Sequence, residues 1–514
     1  MNKSRSYYSV LNILTGLGGY AVNTIVGFIC RIIFVHCLSE DYLGINGLFS
    51  NVLSILSLAE LGIGSAIGYA LYKPLAEHDE EKITSLMHFY SKAYKVIGLV
   101  VGFIGILIMP FMNVIIRTAP SIDENLKIIY LLYLFNTAST YFFSYRSALL
   151  MTAQQSYLVT GISYIQTILQ SVLQIAYLLI FKEYYGYLII QTIGIFLYNI
   201  IISKVAVKKY PYIANKAASP LSKDEKKKIT QNVRDLTIYK ISSLMVNSTD
   251  NIIITFFDGL SSTGLTSNYT LFTGTLTTLL SHIFNGVSAS IGNFNALHTP
   301  KEREQLFYDF NLANFWLYGW ASIGVLCVSS DLVRFFYGDH YVMENAIPAA
   351  LALNMYMVGM QTAVWTFKNT QGIFKYGRFM QMITAGLNII FSLLLGKIWG
   401  AFGVLFASAI ARGLTNTWYD PYCIFKYGFY SKFTNYVIRY LKFALVEIVC
   451  IISSLFICSK IKLAVFPAII VKCFVCSIIF NGLSLLFFGR SQEMQFVFNK
   501  LTYIIHKFRR IKNG

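Results

Sequence analysis

The stretch VIGLVVGFIGILIM, from Val96 to Met109, carries no polar side chain, and Leu463 to Phe480 is interrupted only by Pro467, Lys472 and Ser477. A strand of a membrane barrel is about ten residues long and alternates in polarity. Both stretches are too long and too uniformly apolar for that. In lipid, every backbone N–H and C=O must be satisfied within the protein, which leaves the helix as the remaining structure for such segments. Working outward from these two, the 514 residues are 55% hydrophobic and 13% charged, against about 25% charged in soluble domains. An ordinary water-soluble enzyme is excluded, and the composition predicts an all-α, polytopic membrane protein.

Hydropathy and breakers place fourteen spans at roughly 10–36, 42–72, 86–116, 126–152, 156–181, 184–207, 231–257, 262–293, 305–337, 343–371, 376–398, 400–426, 432–459 and 461–488. The start, with Lys3 and Arg5, reads as a retained first span, because the apolar stretch from Val10 to Cys37 lacks a small-residue cleavage pattern. Lys and Arg concentrate in cytoplasmic loops. With both termini inside, 27 of them fall in inner segments and 7 in outer ones, which supports the count and the orientation. The net charge of +18 therefore has a membrane explanation, and no nucleic-acid partner is expected.

The expected organisation is a six-helix unit at 1–209, a basic linker at 210–230, a second six-helix unit at 231–430, two further helices at 431–489 and a basic tail at 490–514. The tail places Val497, Leu501, Ile504, Ile505 and Phe508 on one helical face, as in a helix lying on an anionic leaflet. The two units echo one another at a shift near 222. FVHCLS at Phe34 to Ser39 matches FFDGLS at Phe256 to Ser261, GIGSAIG at Gly62 to Gly68 matches GVSASIG at Gly286 to Gly292, and Arg146 falls opposite Lys368. Duplicated units with an even number of spans keep their orientation. They are expected to be related by a pseudo-two-fold axis along the membrane normal, with a cavity between them.

Polar residues at helical spacing mark the faces that would line such a cavity. The first span has Gly16, Gly19, Asn23, Gly27 and Arg31, the fifth Gln166, Gln170 and Gln174, and the seventh Lys240, Ser243, Asn247 and Asp250. The eighth has Thr270, Thr273, Thr277, Ser281, Asn285 and Ser288. Small residues at this spacing also serve close helix packing; the amide stripe suits a ligand covered in hydroxyls. Charges inside spans are costly and count as functional candidates. Arg31, Lys240 and Arg412 lie deepest, Arg146 and Lys368 occupy matched positions, and these five are the candidate anion-binding residues. Arg439 and Lys442 lie within snorkelling reach of an inner end, and Lys472 stands outside the repeat. Glu60 and Asp250 either pair with cations or bind a coupling Na⁺ or H⁺.

The 36 Tyr and 40 Phe suit lipid-facing and interfacial positions. Eight cysteines include Cys473-x-x-Cys476, but no other ligand type lies near in sequence, so neither metal nor redox chemistry is expected. There is no P-loop, HExxH or GxSxG. Glu40-Asp41 is reminiscent of a glycosyltransferase site, yet no outer loop is long enough to hold an acceptor, so catalysis is not expected.

Leu43-Gly44-Ile45-Asn46-Gly47-Leu48-Phe49, Ser57-Leu58-Ala59-Glu60-Leu61-Gly62-Ile63-Gly64 and Tyr72-Lys73-Pro74-Leu75 resemble the polysaccharide-transport or O-antigen (lipid-linked oligosaccharide) flippase family, Wzx-like, of the multidrug/oligosaccharidyl-lipid/polysaccharide (MOP) exporter superfamily. The twelve-plus-two layout resembles it over nearly the whole chain. The resemblance implies a bacterial cytoplasmic-membrane protein whose two lobes form an alternating-access cavity. Its cargo would be an undecaprenyl-diphosphate-linked oligosaccharide, its basic lumen residues would meet the diphosphate, and the polymerase and glycosyltransferases of the same pathway would be its partners. Arg31 and Lys240 match lumen positions best, because their helices open the two lobes. The rival readings are an ion-coupled drug antiporter of the same superfamily, which would call for an acidic lumen, and a membrane-embedded polymerase or glycosyltransferase.

Overall fold

The computed structural model describes residues 5–56, 70–71, 74–75, 77–112, 116, 120, 122–153, 155–215, 220–227, 229–230, 249–371, 373, 376 and 378–498. Glu60, Lys240, Ser243 and Asn247, the motif from Ser57 to Gly64, the Gly62 to Gly68 repeat, Tyr72 and Lys73, part of the linker and the tail beyond 498 lie outside the described residues.

The described residues are predominantly helical, with short connections and no strand. In chain order the helices are α1 (Arg5–Cys37), α2 (Glu40–Leu56), α3 (Glu80–Ile108), α4 (Leu126–Thr152), α5 (Ser156–Phe181), α6 (Tyr184–Lys209) and α7 (Asp250–Leu297). They continue as α8 (Pro300–Tyr337), α9 (Ala346–Thr370), α10 (Arg378–Leu414), α11 (Asn416–Ile424), α12 (Phe433–Cys458) and α13 (Val465–Phe488). Two of them are broken by glycine. Gly259 in α7 has φ 84° and Gly400 in α10 has φ 56°, backbone that an L side chain rarely adopts. With these breaks counted, the helices follow the fourteen expected spans in order, the second being described as a helix only to Leu56 and the seventh only from Asp250 onward. The Gly259 break also gives the sequence echo a structural form: it falls at the position matching Cys37, where α1 ends.

Eight described segments are long and apolar enough to cross a bilayer. Their outward faces carry bare apolar side chains, among them Ile165, Leu169, Val172 and Leu173 on α5 and Phe474, Ile478 and Leu486 on α13. Apolar faces of this length suit lipid. Lipid is as apolar as leucine, so burial cannot drive these helices together; close packing and interhelical hydrogen bonds must.

The chain divides into two compact units, Met1–Gly264 and Leu265–Gly514. In the first, α1 lies on α5, α3 on α4, and α6 against both α4 and α5. Its core holds Tyr90, Tyr94, Tyr141, Leu149 and Ile202. Asp79 caps α3 by accepting from the Lys82 amide at 2.9 Å, and the Lys82 ammonium reaches on to Glu225 in the linker. The Glu225 carboxyl is held below the usual carboxylate range by the Lys82 hydrogen bond and by the Ser222 amide.

In the second unit α8 is the centre, touching α9, α12 and α13. It begins with a capping box: Thr299 and Glu302 bond each other's amides around Pro300. Phe315, Phe443 and Phe480 fill one core, and Phe307, Phe367, Phe425 and Tyr436 another. Polar side chains act as glue. Asn314 donates to the Gly359 carbonyl at 2.5 Å, Asn388 to Ser408 at 2.7 Å, and Thr384 pairs with Thr415 at 2.8 Å. Each such bond contributes about 0.6–2 kcal/mol in a membrane.

Candidate functional site

In the first unit, α1 presents Asn23, Gly27 and Arg31 at intervals of one turn, with Arg31 half-buried. The Arg31 guanidinium lies within electrostatic range of Tyr133 on α4 and Tyr187 on α6. Around it the aromatics interlock. Phe34 meets Tyr187 and Tyr184 edge-on at 5.1 and 5.8 Å, and the Tyr133 and Tyr184 hydroxyls are 3.0 Å apart. Glu124 anchors this group from the loop before α4: it accepts from the Tyr184 amide at 3.0 Å and from the Tyr42 hydroxyl.

Tyr133 also lines a cleft of about 390 Å³ with Ser50 and Ser54 of α2, Asn136, Thr137 and Thr140 of α4, and Gln191 of α6. Thr140 is held by the Asn199 amide at 3.2 Å. Hydroxyl and amide groups share the lining with Leu53, Tyr141 and Ile195; Arg31 is not part of it, but its charge acts on Tyr133, which is. Chemically, the arrangement suits a ligand with hydroxyls and an anionic group. The spacing of Ser50 with Ser54, and of Asn136 with Thr140, one turn apart in sequence, carried the signal for this cleft, but it is fainter than the glutamine stripe.

That stripe forms a ladder of its own. Gln166 donates to Gln170 at 2.6 Å, Gln170 to Gln174 at 3.3 Å, and Gln174 to the Tyr187 carbonyl at 3.1 Å. Its amides are engaged with one another and with α6, and the ladder ends at Tyr187, on which the Arg31 charge acts. Arg146 on α4 donates to Ser203 of α6 and stacks over Tyr145 at 5.4 Å.

In the second unit, Lys368 is buried at the end of α9 and ion-paired with Asp420 of α11, whose other oxygen accepts from Trp365 at 3.1 Å. Arg412 is buried near the end of α10, and Asp250 opens α7 half-buried. Lys472 pairs with Asp331 of α8, and Arg439 pairs with Glu493 and covers the Tyr308 ring at 3.9 Å. The structure therefore brings Arg31 and the glutamine ladder together at Tyr187, and gives Lys368, Arg439 and Lys472 acidic partners that sequence distance concealed.

No family model and no curated protein matches the chain. Solved structures do. A structure described as lipid II flippase MurJ in an inward closed conformation aligns with TM-score 0.66 and 16% identity, over 93% of this chain and 99% of its own. An inward-facing multidrug-resistance MATE transporter of the MOP superfamily aligns with TM-score 0.58 and 14% identity, over 76% and 91%. A MOP-superfamily transporter from Pyrococcus furiosus gives TM-score 0.51 and 12% identity, over 79% and 92%. The 93% coverage leaves fewer residues unmatched than α12 and α13 together contain, so the first alignment extends into that pair. The chain is a multi-pass, all-α membrane protein with the fold that these MurJ and MATE structures share.

Proposed function

We propose that this protein is a flippase that carries an undecaprenyl-diphosphate-linked oligosaccharide from the inner to the outer leaflet of a bacterial cytoplasmic membrane. It works by alternating access and serves surface-polysaccharide synthesis. The observation that carries this reading is the cleft of the first unit, where hydroxyl and amide side chains meet Tyr133, on which the Arg31 charge acts. Hydroxyl and amide side chains offer hydrogen bonds to sugar, and the guanidinium offers charge-assisted bonds to diphosphate. Lys240, Arg412 and Arg146 are further candidates for the anion, and Asp250 and Glu60 for a coupling Na⁺ or H⁺; the membrane potential alone is the other source of energy. A ligand shifts the conformational populations only as far as its contacts differ between the two states, so the cation contacts must differ on the two sides.

A drug or cation antiporter on the same fold would need unpaired acids facing its lumen. Asp331 and Asp420, tied to Lys472 and Lys368, are not free for that role. The test is export of surface polymer in a strain lacking this protein, complemented with wild type, Arg31→Ala, Arg31→Lys, Lys240→Ala or Arg412→Ala. Loss of polymer with lipid-linked repeat units held on the inner leaflet, rescued by wild type and in part by Arg31→Lys, is the expected result. Repeat units that reach the outside but stay unpolymerised would overturn transport in favour of a membrane polymerase.

A further inference from the structure

Three cysteines far apart in sequence converge in the second unit. The sulfurs of Cys327 on α8, Cys458 at the end of α12 and Cys476 on α13 all lie within 4.8 Å of one another, and the Cys458 and Cys476 sulfurs are 4.0 Å apart. Cys458 and Cys476 are buried and Cys327 half-buried. A metal ion centred among three thiolates at the usual metal–sulfur bond of about 2.3 Å requires the sulfurs to stand about 4.0 Å from each other. The triangle already has close to that size. The adjacent turn also bears on charge: Asp331 follows Cys327 by four residues, Lys472 precedes Cys476 by four, and the two form an ion pair. The Lys472 ammonium is within electrostatic range of both Cys458 and Cys476, while its own charge is balanced by Asp331.

We propose that Cys327, Cys458 and Cys476 form a three-sulfur binding site for copper(I). Soft thiolates select soft cations. Among the described residues no histidine or carboxylate joins the group to complete the four-coordinate shell that structural zinc takes. A trigonal, all-sulfur site suits a monovalent d¹⁰ ion. Each sulfur that coordinates as a thiolate loses its proton on binding, and no electron is transferred. The bound ion would fasten α12 and α13 to α8. The Cys473-x-x-Cys476 spacing concealed the site, because Cys473 is exposed and the true companions of Cys476 lie on two other helices.

The test uses the full chain, reduced and in nanodiscs under nitrogen, titrated with copper(I) against a bicinchoninate competitor. One ion per chain is expected, with a sulfur-to-copper charge-transfer band in the near ultraviolet and three sulfur neighbours by X-ray absorption. Affinity should fall more than tenfold in Cys327→Ser, Cys458→Ser and Cys476→Ser and stay unchanged in Cys473→Ser. Thermal unfolding of the wild type with and without copper(I) provides a second reading should a variant fail to fold, with a rise in midpoint expected. Copper binding no tighter than in the triple serine variant, an equal loss in Cys473→Ser, or a Cys458–Cys476 disulfide in protein isolated without reductant would overturn the assignment.

Discussion

Gly44 and Gly264 lie against each other where α2 crosses α7 just past its Gly259 break. A Cβ on Gly44 would sit 2.1 Å from the Leu260 carbonyl oxygen, and one on Gly264 would sit 2.2 Å from that of Glu40 and 3.0 Å from the Gly44 nitrogen. Two backbones in direct contact leave no room for a methyl group. Glu40 adds a bond from Ser261 at 3.4 Å. The glycines of the Leu43 to Phe49 motif are therefore a contact surface for residues 260–264.

Gly44→Ala and Gly264→Ala should each force this crossing open, because the atoms they strike are backbone that cannot turn aside. Overpacking of this kind costs about 1–3 kcal/mol. Cysteine pairs introduced on the two segments should cross-link readily in the wild-type background and at least several-fold more slowly with either alanine. Unchanged cross-linking would show that the contact tolerates a side chain.

Lys368 and Asp420 make the next case. Removing one partner of a buried ion pair strands the other charge and costs about 3–5 kcal/mol, whereas replacing both with apolar residues is often neutral. Lys368→Met and Asp420→Leu should each lower the unfolding midpoint in detergent strongly, and the double variant should recover most of the loss. Export by the refolded double variant then reports whether Lys368 has a role beyond its pair. Failure of the double variant to recover stability would assign the charge to something other than Asp420.

Gly194 on α6 faces the glutamine ladder. A Cβ there would lie 2.7 Å from the Gln170 oxygen and 3.0 Å from the Gln166 nitrogen. Gly194→Ala should push the two amides apart, and Gln170→Leu should cut the bonds of Gln170 to Gln166 and to Gln174 at about 1 kcal/mol each. Their effects on the unfolding midpoint should be less than additive, since both break the Gln166–Gln170 bond. Full additivity would mean that the ladder is not what Gly194 protects.

The helices were legible because each span must satisfy its backbone internally, which writes length and apolarity into every segment. The breaks at Gly259 and Gly400 were legible as interruptions between spans, although positive φ was not. Partnerships were a different matter. The sequence places Gln166, Gln170 and Gln174 on one face and implies a wet cavity, whereas their bonds to one another follow from side-chain reach, which periodicity does not encode. Lys368 with Asp420, Lys472 with Asp331, and Cys476 with Cys327 and Cys458 all depend on which helix faces which. Helix rotation about its own axis leaves no trace in hydropathy when the outer medium and the core are equally apolar.

Glu225 supplies a pH prediction. Its folded-state pKa is depressed, by the Lys82 hydrogen bond first and by the Ser222 amide next. A depressed carboxyl stabilises the folded arrangement above its unfolded value of about 4.3, and that contribution is lost as pH falls through the lower, folded value. Both partners are partly exposed, so screening limits the term to at most about 0.5 kcal/mol. The effect should therefore be local, detaching the segment around Ser222 and Glu225 from α3 without unfolding the unit. Hydrogen exchange there, corrected for the intrinsic rate, should quicken as pH drops from 7 to about 3 and also on raising salt at neutral pH. Glu225→Gln should exchange quickly at pH 7 and show little further dependence on either; a glutamine variant as protected as wild type would remove the ion pair as the cause.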